Sequence, residues 1–308
     1  MGKLTYYPFS LLLRWRIAAA RRLLAGPYRW HILERLGVPG HGVDLLRLDF
    51  PPGAPGALWG QDGQPLHPEL AAVLGRDAPA QQDLLERCLA HAAAVRAWPP
   101  SEDPARPDQP WTDNLFLTLL DEAALYGLLR HFRPRRYLEI GSGMSTRVAW
   151  HARRDGNFPM EIISIDPEPR FEISGLCDRT VRRRLEEVAG EIPALLTPDT
   201  LFFFDGSHRS FPGSDVTVFF LELLPRMPAG TLVHIHDIYL PADYPRRLLS
   251  RYWSEQYLLG AHLLGGGQGL EILLPCAHLL RRPESRPLIE RALGPAGLRG
   301  SSFWLRKR

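Results

Sequence analysis

Apolar residues recur at helical spacing from residue 9 to 24, where Leu12, Trp15, Ala19 and Leu23 share one face and Leu13, Ile17, Ala20 and Leu24 lie beside it. That spacing predicts an amphipathic helix with Arg14 and Arg21 on its other side. Glycine and proline crowd residues 36–66, which predicts turns, and helical character returns over 67–98. A proline-rich connector from Trp98 to Pro110 is the best internal boundary. We therefore expect a helical and loop-rich cap over 1–110 and a second, more regular domain over 111–308. In that domain Leu117, Leu120, Ala124 and Leu128 predict a helix over Asp113 to Phe132, ended by Pro134. Short apolar runs then alternate with helical stretches. Strands are predicted at 137–140, 162–165, 180–185, 201–204, 232–235, 270–274 and 302–305, and helices at 145–154, 215–224 and 247–264. Alternation of this kind predicts an α/β fold, a largely parallel sheet with helices on both faces.

Charge adds one asymmetry. The net charge of +3 is too small to argue for nucleic acid. Residues 1–40 hold seven Lys/Arg against one acid, and residues 277–308 hold eight against two. Solvated termini explain this, or contact with an anionic surface, and residues 9–24 offer either an apolar face for the body or a peripheral membrane contact. Cys88, Cys177 and Cys276 are an odd, scattered set with no disulfide or zinc spacing, which fits a reducing, cytoplasmic setting. No apolar run is long enough to span a membrane, and Arg14 and Arg16 cut short the only run resembling a signal peptide.

In parallel sheets ligands bind beyond the carboxyl ends of the strands, so the residues after each strand carry the chemistry. The first such segment is Tyr137-Leu-Glu-Ile-Gly-Ser-Gly-Met-Ser-Thr146. Gly141 and Gly143 let the backbone turn and approach a ligand, with Ser142 between them and Ser145 in the first turn of the next helix. A dinucleotide loop would carry a third glycine where Thr146 stands, and Glu139 ahead of the loop suits a cation better than a pyrophosphate. S-adenosylmethionine, a sulfonium with an ammonium group, is the expected cofactor. Asp166, directly after the second strand, is placed to bind ribose hydroxyls.

Two further segments, Phe202-Phe-Phe-Asp205-Gly-Ser-His208 and Val233-His-Ile-His236-Asp237, each end a buried strand with an acid and a histidine. Neighbouring strand ends lie about 5 Å apart, so Asp205, His208, His236 and Asp237 should converge beside the cofactor's methyl group. Two chemistries are open. A histidine can take a hydroxyl proton during methyl transfer, with His208, His236 and Asp237 as the catalytic candidates. Alternatively Asp205, His236 and Asp237 can hold Mg²⁺, Mn²⁺ or Fe²⁺, which would acidify a bound hydroxyl. Asp205 can instead help bind the cofactor. His234 is expected on the face opposite His236, as a core histidine. The paired acids and histidines favour O-methylation of a small-molecule acceptor. The rival reading is a metal-dependent, non-methylating enzyme or a binding protein on the same fold.

Together these segments resemble the class I S-adenosylmethionine-dependent methyltransferases, and most of all the group called methyltransferase family 24. The resemblance runs from about Trp111 to Leu274 and includes Asp237-Ile-Tyr-Leu-Pro-Ala-Asp-Tyr-Pro245 and Glu255-Gln-Tyr-Leu-Leu259. It implies a Rossmann-like, seven-stranded sheet whose last two strands, near 270–274 and 302–305, form an antiparallel hairpin. Catechol-type, macrolide-sugar and cephamycin-pathway methyltransferases are similar in layout and hold a divalent metal after strands four and five. The matching positions are Asp205, His236 and Asp237, with His236 departing from the usual carboxylate. No Asn/Asp-Pro-Pro-aromatic signature follows the fourth strand, which disfavours base methylation on nucleic acid. The resemblance does not reach the first third of the chain or name the acceptor.

Overall fold

The computed structural model describes residues 58–308. The helix expected over 9–24, and with it the membrane contact and the first half of the cap, lie outside the described residues. Seven strands, β1 (Arg136–Ile140), β2 (Glu161–Ile165), β3 (Arg179–Val181), β4 (Thr200–Phe204), β5 (Leu232–Ile235), β6 (Leu270–Pro275) and β7 (Phe303–Lys307), form one sheet in the order β3-β2-β1-β4-β5-β7-β6. The first five are parallel, and β7 runs antiparallel to both β5 and β6. This is the Rossmann-like mixed sheet that the alternating pattern and the resemblance imply. Among the described residues no helix is long and apolar enough to cross a membrane.

The central strand shows why the sheet is covered on both faces. All five residues of β4, Thr-Leu-Phe-Phe-Phe, are buried. Alternate residues point to opposite faces. Phe202 and Phe204 stack on Phe219, with ring centroids 5.7 and 4.2 Å apart, while Phe203 meets Tyr137, His234 and Trp304 on the other side. Each fully buried phenylalanine contributes about 1.5–3 kcal/mol. The same alternation divides the molecule into two apolar clusters, one on each side of the sheet.

Before the sheet come α1 (Pro68–Leu74), α2 (Ala78–Leu89) and α3 (Ala92–Arg96), then α4 (Leu119–Phe132). Leu84, Leu85, Cys88 and Val95 share a core with Leu120, Ala124 and Leu128 of α4. Gly127 permits this closeness, because a Cβ there would fall 2.5 Å from the Cα of Cys88. Thus 68–98 packs onto the same body as the sheet, and residues 58–308 lie within one compact unit.

Three predicted helices differ in detail. α4 begins at Leu119 and not at Asp113, because Asn114 folds the preceding segment into a loop: its Oδ1 accepts from the amides of Phe116 and Leu117, and its Nδ2 donates to the Trp111 carbonyl. The helix expected over 215–224 starts as α7 (Asp215–Val218), after the short α6 (Leu185–Val188). It then widens into a π-helical turn over Phe219–Leu223. The helix expected over 247–264 breaks in two, a 3-10 turn over Arg246–Arg251 and α8 (Glu255–Leu264). The break falls at Tyr252, whose φ is +55°, and the Ser254 amide just after it donates to the His208 carbonyl at 2.8 Å. The basic end contains a short helix, α9 (Cys276–Leu279), and α10 (Arg286–Leu293), which buries Ile289 and Leu293. No prediction covered these.

One buried carboxylate ties the first strand to the helix that follows it, α5 (Met144–Gly156). Glu139 is 0% exposed and accepts from the hydroxyls of Tyr137 (3.0 Å), Ser145 (2.9 Å) and Thr146 (2.5 Å). Burial pushes its carboxyl up to about 7 against the opposing pull of those hydroxyls. The folded state therefore binds a proton that the unfolded chain releases near its ordinary 4.5, and this contribution to stability falls as pH rises from about 4.5 through 7. Glu139→Gln should remove that slope. Urea unfolding at pH 5 and pH 8 should show the variant gaining roughly 3 kcal/mol relative to wild type at the higher pH. An equal difference at both pH values would show that Glu139 does not take up the proton.

Candidate active site

The carboxyl ends of β1, β2, β4 and β5 open into a cavity of about 1030 Å³. Its first wall is the loop after β1. Gly141 has φ +79°, and a Cβ there would lie 2.1 Å from the backbone carbonyl oxygen of Asp205, so no larger residue fits without moving the backbone. The Ser142 amide donates to Asp166 Oδ2 at 2.7 Å, and the Glu168 amide donates to Oδ1 at 2.8 Å. Ser142 and Ser164 hydroxyls also bond to each other. Gly141, Ser142, Gly143, Ser145, Asp166 and Asp205, all expected at the cofactor, line the cavity. Glu139 is not among the lining residues. It lies beneath the loop, its carboxylate committed to three hydroxyls, and acts on the cavity by holding the loop's shape.

The floor is a charged cluster from three separate loops. His208, at φ +63°, places Nε2 3.3 Å from Asp205 and 3.9 Å from Asp237, while its Nδ1 meets Glu255 at 2.5 Å. Trp253 covers the ring at 4.2 Å. Burial alone would lower the pKa of His208, but Glu255 and Asp205 outweigh it and hold the ring well above the ordinary 6.5 as an imidazolium. Burial likewise tends to raise Asp205, and His236, His208 and Arg170 together hold it below the usual value. Asp237 Oδ1 accepts from Tyr239 Oη at 3.1 Å and Ser301 Oγ at 3.0 Å.

His236 is buried, lines the cavity, and donates from Nε2 to the Phe116 carbonyl at 3.2 Å. A carbonyl can only accept, so this bond puts the proton on Nε2. Nδ1 has no hydrogen-bond partner among the described residues. Burial lowers the pKa of this ring, yet Asp237, Asp205 and Asp121 outweigh it and raise the value above 6.5. His234, expected on the opposite face, lies instead on the same side, with ring centroids 5.4 Å apart. Residues two apart in a strand share a face. It is nonetheless a core residue, bonded to Ser302 Oγ at 3.0 Å, stacked on Phe203 at 3.8 Å, and kept neutral by burial.

The structure brings Asp205, His208, His236 and Asp237 together, but not as a metal-binding set. Among the described residues no three His, Cys, Asp or Glu side chains are arranged to hold a metal ion. His236 Nε2 is turned to a carbonyl 3.2 Å away and stands 4.0 Å from Asp237, and the carboxylates of Asp205 and Asp237 already face the His208 ring, which offsets part of their charge. Sequence reasoning missed Glu255, Tyr239, Ser301 and the carbonyl of Phe116. Glu255 and Tyr239 lie within segments that carry the family resemblance, which gives neither a role. Ser301 left no local signal, since Asp121 positions it from 180 residues away.

Residues 138–238 match the model of methyltransferase family 24, described as a methyltransferase domain. No curated protein matches the chain. Among solved structures, the S-adenosylhomocysteine-bound methyltransferase PaMTH1 of Podospora anserina is 16% identical with a TM-score of 0.41, over 79% of this chain and 97% of that one. The MycE methyltransferase of the mycinamycin biosynthetic pathway, in complex with Mg, S-adenosylhomocysteine and mycinamycin VI, is 19% identical with a TM-score of 0.36, over 66% of this chain and 52% of that one. The family match falls on the strands and loops that build the cavity, β1 through the end of β5, so this part of the chain is similar to a methyltransferase domain.

Proposed function

We propose that the protein transfers the methyl group of S-adenosylmethionine to a hydroxyl of a small-molecule acceptor, with His236 as the base. The observation that carries this reading is the state of that ring. Its Nε2–H is held by a carbonyl, its Nδ1 lacks a partner among the described residues, and Asp205 and Asp237 favour its protonation. The residues around the β1 loop fit the cofactor. Gly141 lets the β1 loop turn tightly against the Asp205 backbone at the cavity wall, Asp166 retains lone pairs for ribose hydroxyls, and the acidic floor at Asp205 suits a sulfonium.

The cofactor, when bound, supplies an electrophilic methyl group on sulfur. The chain's own residues do the rest. Asp205 and Asp237 orient the acceptor and stabilise positive charge at His236, which takes the hydroxyl proton at Nδ1. His208 serves as a fixed cation that keeps the two aspartates apart and in place, so it is a positioning group rather than a second base. Among the described residues the side chains of Asp205, His236 and Asp237 do not form a three-sided metal set.

Calorimetric titration with S-adenosylhomocysteine should show binding that Asp166→Ala weakens by tenfold or more, about 1.4 kcal/mol. No binding to wild type would sink the methyltransferase reading and favour a binding protein on the same fold. The base has its own test. Histidine NMR should place the His236 pKa above 6.5, with the proton arriving at Nδ1. Asp237→Asn removes a stabilising negative charge and should move that pKa down. The neutral base exists only above its pKa, so methyl transfer should rise with pH through the same value and its rising limb should shift to lower pH in the variant. His236→Ala should lower kcat by about 10²–10⁴ while S-adenosylhomocysteine still binds. Retained turnover would remove His236 from the chemistry.

A further inference from the structure

The cavity wall carries cations that form no ion pair among the described residues. Arg209, in the loop after β4, and Arg247 and Arg251, on the 3-10 turn before α8, all line it. Elsewhere in the molecule arginines pair with acids, as in Arg87–Asp83, Arg136–Glu161 and Arg153–Asp178. These three make no ion pair among the described residues. Arg209 Nε donates to the Arg251 carbonyl at 2.9 Å, which leaves its terminal nitrogens free, and Arg251 lies over the Trp253 ring at 5.1 Å.

The two loops that bear them are fastened together. The Ser254 amide donates to the His208 carbonyl, and the Ser210 amide to Ser254 Oγ at 2.9 Å. Three of the acids that line the cavity are engaged elsewhere. Asp215 accepts from the Ser207 amide and hydroxyl and from the Val216 amide, while Asp205 and Asp237 face the His208 imidazolium. Arg170 stands apart, over the Phe116 ring and among the charges that hold Asp205 down.

Guanidiniums held on stapled loops without a carboxylate are matched to an oxyanion, and three of them suit a dianion better than a single carboxylate. We propose that Arg209, Arg247 and Arg251 form a phosphate-binding subsite for the acceptor, so that the methylated molecule carries a phosphate-type group as well as its hydroxyl. This rests on the methyltransferase reading above and assigns the substrate class for the same cavity. The negative floor would hold the sulfonium and the hydroxyl, and the positive rim would hold the phosphate at a distance from them.

The test uses the full chain loaded with S-adenosylhomocysteine, titrated with pyrophosphate at constant ionic strength, with malonate as the carboxylate probe. Saturable pyrophosphate binding is expected, tighter than malonate. Arg247→Gln/Arg251→Gln should weaken it by tenfold or more and change S-adenosylhomocysteine affinity by less than twofold. Both arginines are exposed, and unchanged thermal unfolding will show that the variant folds; Arg247→Lys/Arg251→Lys, which keeps the charges, should lose less affinity. Absent or unaltered pyrophosphate binding would overturn the subsite, as would tighter binding of malonate. A parallel loss of S-adenosylhomocysteine affinity would also overturn it, because the arginines would then serve the cofactor's carboxylate. Pyrophosphate binding through these arginines in a chain that does not bind S-adenosylhomocysteine at all would leave the anion site standing and remove the methyltransferase reading.

Discussion

The carboxylate of Glu255 meets His208 at 2.5 Å beneath the cavity, and the geometry of the site follows from that contact. Glu255 is the first residue of a helix, buried, and its own charge would be costly there without a cation. His208 supplies one, at the price of a left-handed backbone conformation in the turn after β4. Once protonated, the ring's other nitrogen faces Asp205 and Asp237, so a single imidazolium organises carboxylates from three loops. Removing one member of a buried charge pair typically costs about 3–5 kcal/mol. The cluster is therefore a structural element of the site as well as its electrostatic floor.

A second constraint couples the cofactor side to this floor. The Asp205 carbonyl oxygen occupies the space a side chain at position 141 would need. The β1 loop and the β4 loop therefore pack directly against each other, and the Asp205 amide donates to the Ile140 carbonyl at 2.9 Å. Glu139 fixes the same loop from below through Ser145 and Thr146, and Asp166 fixes it from the side through the Ser142 amide. Few groups are left free to rearrange, which is what methyl transfer asks of a site whose contribution is chiefly orientation.

The charges are arranged in layers. Carboxylates share the buried His208 ring, and guanidiniums that form no ion pair among the described residues stand on the more exposed loops that follow β4 and β5. A cationic cofactor and an anionic acceptor would each find the opposite sign without competing for it. Leu115, 97% exposed, and Phe116 add an apolar stretch to the cavity wall, on the loop that Asn114 folds ahead of α4.

The sheet was legible in the sequence because strands buried on both faces have to be apolar throughout, and Phe202-Phe203-Phe204 and Ile162–Ile165 could hardly be anything else. The glycines and acids after those strands were legible for a related reason: a turn tight against a ligand demands particular residue types locally. Helix ends were less so, since the loop at 111–117 and the break at 252–254 depend on side-chain and backbone bonds to distant partners. The roles of the site residues were decided by tertiary structure alone. Glu139 reads as a ligand for a cation and is a buried tie. His208 reads as a base, and the fold sets its ring between Glu255, Asp205 and Asp237, which favour its charged form. Sequence determined which chemical groups reach the ends of the strands, because that depends on local periodicity. Which of them is protonated, paired or left open depends on burial and on partners such as Glu255 and Ser301, 47 and 64 residues away from the groups they hold, and only the folded chain brings those together.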